Sequence, residues 1–297
     1  VGAGAAELRL SASLGAGSKR APAHAVGQDV RMTPDLAPHS FRPGRHDAVG
    51  VIGLGRVGSA LARALAAADV PLAGLATRDE AGAAGLARET GVRLRPADQV
   101  LTRATVSVLA VPDDHIGGLA LELARAARAR DGASAGAGRA VAHCAGALDA
   151  APLAPLRRLG WQVGAWHPLQ AVPTRATPLA PGITWAITAD PPLDAVLSTL
   201  TGLLGGRSAW VAAQDKPRYH AAAALTSNYT VTLLAHAAEV LAGLGWAQPL
   251  PALLALLRST LDGVEAAGVP QGLTGPLARG DLGTVRAHLS ALADLAE

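Results

Sequence analysis

Apolar positions along the chain follow two patterns. Residues 48–53, AVGVIG, form a short continuous apolar run, whereas LARALAAA from Leu61 repeats its apolar positions at helical spacing. Strand-like runs then recur as PLAGLA from Pro71, VRLR from Val92, TVSVLAV from Thr105 and RAVAHC from Arg139. Helical runs at 79–90 and 114–130 lie between them. Three further strands are expected at 161–166, 183–188 and 208–211, with Trp161, Trp166 and Trp185 in the core. This alternation predicts an α/β fold, a doubly wound Rossmann-type parallel sheet with helices on both faces. Beyond Asp215 no strand pattern remains. A long helix to about Leu244, an apolar one over 251–264 and a last one from Asp281 predict a second, all-helical C-terminal domain. The expected division is a Rossmann domain over 47–213 and a helical substrate and dimerisation domain over 214–297. Residues 1–46 have no usable periodicity and are expected to be a disordered extension. Met32 is the only methionine, which makes residues 1–31 a candidate over-extended translation start.

Gly53-Leu54-Gly55-Arg56-Val57-Gly58 matches G-x-G-x-x-G directly after the first strand and at the opening of the first helix. Such glycines allow a tight turn, close approach of a pyrophosphate and close helix–strand packing, and the helix N-terminus supplies N–H donors. After the second strand, an NAD-preferring protein would place an acid for the ribose hydroxyls. This chain has Thr77-Arg78, which suit a 2′-phosphate and point to NADP. Asp79 and Glu80, the alternative partners for NAD, read as first-turn acids of the next helix. Val111-Pro112 ends the next strand and should lie beside the nicotinamide half; Asp114 reads as a helix cap. His143 and Cys144 end another strand, the cysteine reading as a small buried residue. His167, in HPLQ, could aim into a cleft between the domains.

The densest chemistry lies at DKPRYHAAAALTSNYT, residues 215–230. The chain has only two lysines, Lys19 and Lys216, one asparagine, Asn228, and two tyrosines, Tyr219 and Tyr229. Four of those five fall in this stretch, although arginine serves nearly everywhere else as the cation. A compact ammonium that can release its proton is not interchangeable with guanidinium. The stretch reads as a helix with Asp215 as cap and Pro217 in its first turn. At about 100° per residue, Lys216, His220 and Ser227 fall within about 40° of each other, with Asn228 at the edge. The plain alternative is a solvated lysine beside a histidine satisfied by backbone.

The totals narrow the classes. A length of 297 residues with 50% hydrophobic content supports a large core, and a net charge of +3 with scattered arginines argues against nucleic acid. One cysteine, Cys144, excludes an internal disulfide framework and fits a reducing compartment. No apolar run approaches the roughly 18 residues of a membrane span. A cytoplasmic protein without metal is expected. The segment 249–257, PLPALLALL, is apolar around its whole circumference, which predicts a homodimer through the helical domains.

Taken with G-x-G-x-x-G, the motifs HxxGA at His143, HPLQ at His167, KxxYHAAA…SNY from Lys216 and TGPxxRGD from Thr274 resemble one bacterial family. It pairs a Rossmann-like domain with "domain of unknown function 2520", and the resemblance covers about residues 48–295. That family is similar to the 6-phosphogluconate dehydrogenase-like and ketopantoate reductase-like NADP oxidoreductases. In their hydroxyacid branch a helix carries Lys-x-x-x-Asn toward the nicotinamide, and here His220 stands at the second position. The resemblance implies an NADP-dependent reductase of a small keto acid or imine, ketopantoate-like first. Lys216, with His220, would serve as acid or oxyanion partner and Ser227 and Asn228 would orient the substrate; His167 is a further site contact, and it or His220 would be the base if the reaction runs as an oxidation. Oxidation in the prephenate dehydrogenase manner and a non-catalytic NADPH sensor are the alternatives.

Overall fold

The structure, a computed structural model, describes residues 48–293. The extension expected over 1–46 lies outside the described residues. In chain order the elements are β1 (Val49–Ile52), α1 (Arg56–Ala67), β2 (Leu72–Ala76), α2 (Glu80–Thr90), α3 (Ala97–Arg103), β3 (Val106–Leu109), α4 (Asp113–Asp131) and β4 (Ala140–His143). Then come α5 (Ala154–Arg157), β5 (Gln162–Pro168), β6 (Thr184–Ala189), α6 (Leu193–Leu203) and β7 (Arg207–Trp210). The C-terminal helices are α7 (Lys216–Thr226), α8 (Asn228–Gly243), α9 (Pro249–Ala267), α10 (Gly275–Arg279) and α11 (Leu282–Leu292).

The strands form one seven-stranded sheet in the order β2-β1-β3-β4-β5-β6-β7. The first five are mutually parallel; β6 runs antiparallel to β5, and β7 is parallel to β6. Chain order reverses at β1, which has β2 on one side and β3 on the other. In such sheets ligands bind outside the strand carboxyl ends at that switch point. Pairing of Ile52 with Leu109, Leu109 with His143 and His143 with Ala165 brings those ends level, so the loops after β1, β3 and β4 share one rim.

Both faces of the sheet are covered. Leu61 and Leu65 of α1, Leu86 of α2, and Leu193, Leu197 and Leu200 of α6 pack with Val49, Val51, Val106 and Val108. On the other face Val100, Leu101, Ile116, Leu123, Leu153 and Leu156 pack with Ile52, Leu109, Val141 and Val163. Trp161, Trp166 and Trp185 are core, as expected. Trp166 and Trp185 stack at 4.2 Å between ring centroids, and Trp166 Nε1 donates to Thr201 Oγ1 at 2.9 Å.

Four expectations are corrected. VRLR is not a strand: only Leu94 bridges Leu75, because Gly91 in a left-handed conformation and Pro96 confine it to a few residues. The long helix to Leu244 is two helices, α7 and α8, broken at Ser227. Thr226 and Thr230 turn their hydroxyls back to the carbonyls of Ala222 and Thr226 around this break, a bonding that bends helices. Asp215 does not cap α7 with its side chain. It ends a 3₁₀ turn in a helical conformation, whereas a capping side chain needs an extended one. Asp114 is not the cap of α4 either: Pro112 holds that position, and Asp114 pairs with His115 at 2.9 Å.

Candidate active site

The glycine-rich turn is built by three glycines with three different constraints. Gly53 has φ +98°, and a Cβ there would lie 2.6 Å from the Ala110 carbonyl and 2.7 Å from Val111 Cγ1. A Cβ on Gly58 would collide with the Gly53 carbonyl, so glycine lets α1 pack onto the end of β1. Gly55, by contrast, faces open space. The first two are closed by the protein itself, and the third leaves room for something outside it. Gly55 is the N-cap of α1 and makes no side-chain cap; no acid stands in the first turn, so the helix N–H groups are unopposed. This is a fitting cradle for a pyrophosphate. Leu54 is buried beneath the turn, while Arg56 is exposed and Val57 half-buried.

At the end of β2, Thr77 Oγ1 accepts from the Asp79 N–H at 3.2 Å, and Arg78 is exposed. Asp79 caps α2 by accepting from the Gly82 N–H at 3.0 Å. Its cap hydrogen bond and the neighbouring Arg175 guanidinium hold its carboxyl below the usual carboxylate range, the Arg175 hydrogen bond being the larger effect. A hydroxyl and a free guanidinium at this corner fit a 2′-phosphate. Asp79 is already engaged, and Glu80 stands in the first turn of α2.

Further along the rim, Val111 and Pro112 lead from β3 into α4, Val111 lying against the Gly53 turn. The Cys144 N–H bonds to Leu109 O at 3.1 Å, which ties the loop after β4 to the end of β3. Inside that loop, the Ala145 N–H donates to His143 Nδ1 at 3.2 Å, so the other ring nitrogen carries the proton and donates to the Asp149 carbonyl at 2.7 Å. Both nitrogens of His143 are spent on shaping the loop, and burial lowers its pKa, which keeps it neutral. Burial likewise pushes the Cys144 thiol up to about 12, so it is no thiolate nucleophile.

The carbonyl of Ala145 receives the ammonium of Lys216 at 3.3 Å. Lys216 is 0% exposed, and its Nζ lies 5.3 Å from the centroid of the Tyr219 ring. An ammonium has three donors, and the Ala145 carbonyl takes one of them. Burial lowers its pKa to about 8, against the opposing pull of Asp113 and Asp149. His167, at the end of β5, bonds through Nδ1 to the Tyr219 hydroxyl at 2.8 Å, its ring edge-on to those of Tyr219 and His220. Burial, with Lys216 as the next cause, brings His167 down to about 4, so it is a neutral imidazole near neutrality. Burial raises the Tyr219 phenol to about 12. His167 and His220 close over Gly146: a Cβ there would lie 2.9 Å from His167 Nε2 and collide with the His220 ring. The neutral side chains of His167 and Tyr219 thus stand beside one buried cation.

Sequence reasoning singled out Lys216, His220 and His167, and the structure gathers them. It does not bring Ser227 and Asn228 to the cluster. Both are exposed at the α7–α8 break, about 16 Å along the axis from Lys216 at 1.5 Å per residue. Tyr219 and Gly146 were not named as site residues. Tyr219 had a signal, since it is one of two tyrosines and stands three residues after Lys216, one turn away. Gly146 had only its place in HxxGA. A cavity of about 670 Å³ lies elsewhere, lined among others by Asp149, Arg157, Asp190 and Trp210. Its charged rim is self-paired, Arg157 to Asp190 at 3.6 Å.

Fold and site together define a Rossmann-type protein with a helical C-terminal region. Residues 32–168 match the family model of the Rossmann-like domain, and residues 183–297 match that of Domain of unknown function (DUF2520). The chain carries these two domains in tandem, the pairing its motifs resemble. The second model begins just ahead of β6. No curated protein shows significant sequence similarity to the chain. Among solved structures, a Bacteroides fragilis protein provisionally named an NADP oxidoreductase is similar at 23% identity and TM-score 0.64, covering 84% of this chain and 92% of that one. An imine reductase from Myxococcus stipitatus in complex with NADP+ is similar at 19% identity and TM-score 0.56, covering 74% of each chain. A pyrroline-5-carboxylate reductase from Coxiella burnetii is similar at 17% identity and TM-score 0.57, covering 84% of this chain and 93% of that one. At such identities the likeness establishes the fold.

Proposed function

We propose that the protein is an NADP-dependent oxidoreductase that reduces the C=O or C=N bond of a small keto acid or imine in the cleft between sheet and helices. The observation that carries this reading is the buried Lys216 ammonium, placed on the rim that also carries the glycine-rich turn. Burying a cation is costly and needs a reason, and moving a proton next to a reducible carbon is one. The names of the similar structures, an imine reductase and a pyrroline-5-carboxylate reductase, lend weight to the C=N class beside the ketopantoate-like one.

The turn Gly53-Leu54-Gly55-Arg56-Val57-Gly58 would hold the pyrophosphate, Thr77 and Arg78 the 2′-phosphate, and Val111 and Pro112 the nicotinamide half. Bound NADPH supplies the hydride that reduces the substrate carbon. Lys216 Nζ gives its proton to the substrate oxygen or nitrogen as negative charge builds there, then regains one from solvent. His167, held by Tyr219, offers a neutral ring nitrogen to orient the substrate, and His220 closes the pocket from the side of α7.

The test is a screen of keto acids and imines for substrate-dependent loss of NADPH absorbance, followed by Lys216→Met on the best substrate. Turnover should fall by roughly 10²-fold or more while NADPH affinity stays near that of the unchanged protein. Tight NADPH binding with no turnover on any substrate would favour the sensor. Undiminished turnover in Lys216→Met would remove the lysine from the mechanism.

A further inference from the structure

The loop between β5 and β6, residues 169–183, belongs to neither layer of the fold, yet it is closely tied down. At its base Gln170 works as a clasp: its Nε2 donates to the Pro178 carbonyl and its Oε1 accepts from the Ala180 N–H, each at 2.9 Å. Val172 is buried, and Leu179 packs on the core. The tip is braced by Thr174 and Thr177, whose hydroxyls lie 3.0 Å apart and whose backbone N–H groups bond across the turn. Between those threonines stands Arg175. Compact loops held by their own side chains are commonly functional.

Arg175 reaches the far end of the nucleotide rim. Its Nη1 donates to Asp79 Oδ2 at 2.9 Å, across 96 residues of chain. Its carbonyl accepts from Arg63 of α1, which is itself anchored on both oxygens of Glu89 at 2.9 and 2.8 Å. Gly82 leaves the room: a Cβ there would lie 2.9 Å from Arg175 Nη1. The loop thus runs as a strap, touching α1 at Arg63, from His167 beside the lysine cluster to the corner where β2 hands over to α2.

We infer that this strap carries the second arm of the 2′-phosphate site, with Arg175 and Arg78 gripping the phosphate from opposite sides and Asp79 holding Arg175 in position beforehand. The inference rests on the proposal that NADP is the cofactor. An exposed ion pair contributes little, and both partners here are about half exposed, so the guanidinium is readily given up to a better acceptor. A phosphate monoester is such an acceptor, with nearly two negative charges and oxygens that match the guanidinium fork. Asp79 loses little by the exchange, because its other oxygen stays on the α2 cap. A pair built only to latch the loop would not distinguish a cofactor with the phosphate from one without.

The experiment is titration of the full chain with NADPH, NADH, 2′,5′-ADP and 5′-ADP, read by calorimetry, for the unchanged protein, Arg175→Ala and Asp79→Asn. Arg175→Ala should weaken NADPH and 2′,5′-ADP by roughly 10-fold or more and leave NADH and 5′-ADP within about twofold. Asp79→Asn keeps an N-cap residue and frees the guanidinium, so NADPH should bind at least as tightly as before. Equal losses for both cofactors, or none, in Arg175→Ala would reduce the contact to a latch and overturn the inference alone. Selective weakening of NADH in Asp79→Asn would assign the acid to ribose hydroxyls and overturn it too. A protein that binds neither dinucleotide overturns the cofactor reading along with it.

Discussion

Lys216 is fully buried, and burying a cation has an energetic cost. Its pKa is lowered from 10.5 to about 8 by burial, so between about pH 8 and 10.5 the unfolded chain binds the proton and the folded chain does not. Stability contributed by this group therefore rises with pH through that window, and at neutral pH the buried ammonium costs on the order of 3 kcal/mol. Losing the hydrogen bond to Ala145 would offset about a third of that, at about 1 kcal/mol. Lys216→Met should accordingly raise the melting temperature at pH 7 by roughly 2–6 °C. The same shift places a limb in the rate profile. If Lys216 is the proton donor, kcat should be level below about pH 8 and fall tenfold per unit above it. A limb centred near 10 instead would mean an exposed, unshifted lysine. The scarcity of lysine made this residue visible in the sequence. Its burial was not visible, because the atoms that enclose it come from the loop after β4, 71 residues earlier in the chain.

The glycine-rich turn was legible in order and in kind, since a strand, three spaced glycines and a helix specify each other locally. The structure adds that the three glycines are not equivalent, which yields a paired test. Within a helix, glycine to alanine ordinarily gains up to about 1 kcal/mol from propensity. At Gly58 the new methyl would strike the Gly53 carbonyl, and overpacking of that kind costs about 1–3 kcal/mol, so the clash wins. Gly58→Ala should lower the melting temperature by several degrees. Gly55 has φ −73° and open space beyond it, so Gly55→Ala should melt within about 1 °C of the unchanged protein yet lose NADPH affinity by roughly tenfold or more. Similar melting losses in both would show that the open side of the turn serves packing alone. Elements without local punctuation were less legible. The seven-residue α3, ADQVLTR, is too short to show a period, and the break at Ser227 depends on back-bonding threonines inside an otherwise helical run. The strap was visible only as proline-rich sequence, because Arg175 finds its partner across the sheet.

The helical C-terminal region presents the remaining physical problem. Helix α7 buries Lys216, but α8, α9, α10 and α11 bury no residue at all among the described ones. Leu233 is 70% exposed, Leu256 65% and Leu289 67%, with Val231, Leu244 and Leu261 similarly bare. Single exposed leucines are ordinary on a protein surface. Successive leucines along packed helices are not, and at about 25 cal/mol per Å² the uncovered area is a strong drive to association. The opposite end of the molecule shows no such deficit, since both faces of its sheet are filled. No helix of the described residues is long and apolar enough to cross a membrane. A second copy presents the same leucine rows and can cover them by two-fold symmetry. The expected state is therefore a homodimer through α8 and α9, running in light scattering at twice 29.7 kDa at micromolar concentration. Leu233→Glu with Leu256→Glu should shift it toward the monomer. Arg78→Ala, after the edge strand β2, should not. The exposed Ser227 and Asn228 sit at the start of α8, so loss of the dimer should also lower turnover more than NADPH affinity if the partner completes the substrate end of the cleft. A chain that scatters as a monomer with the leucine rows intact would show that the helices need no such cover.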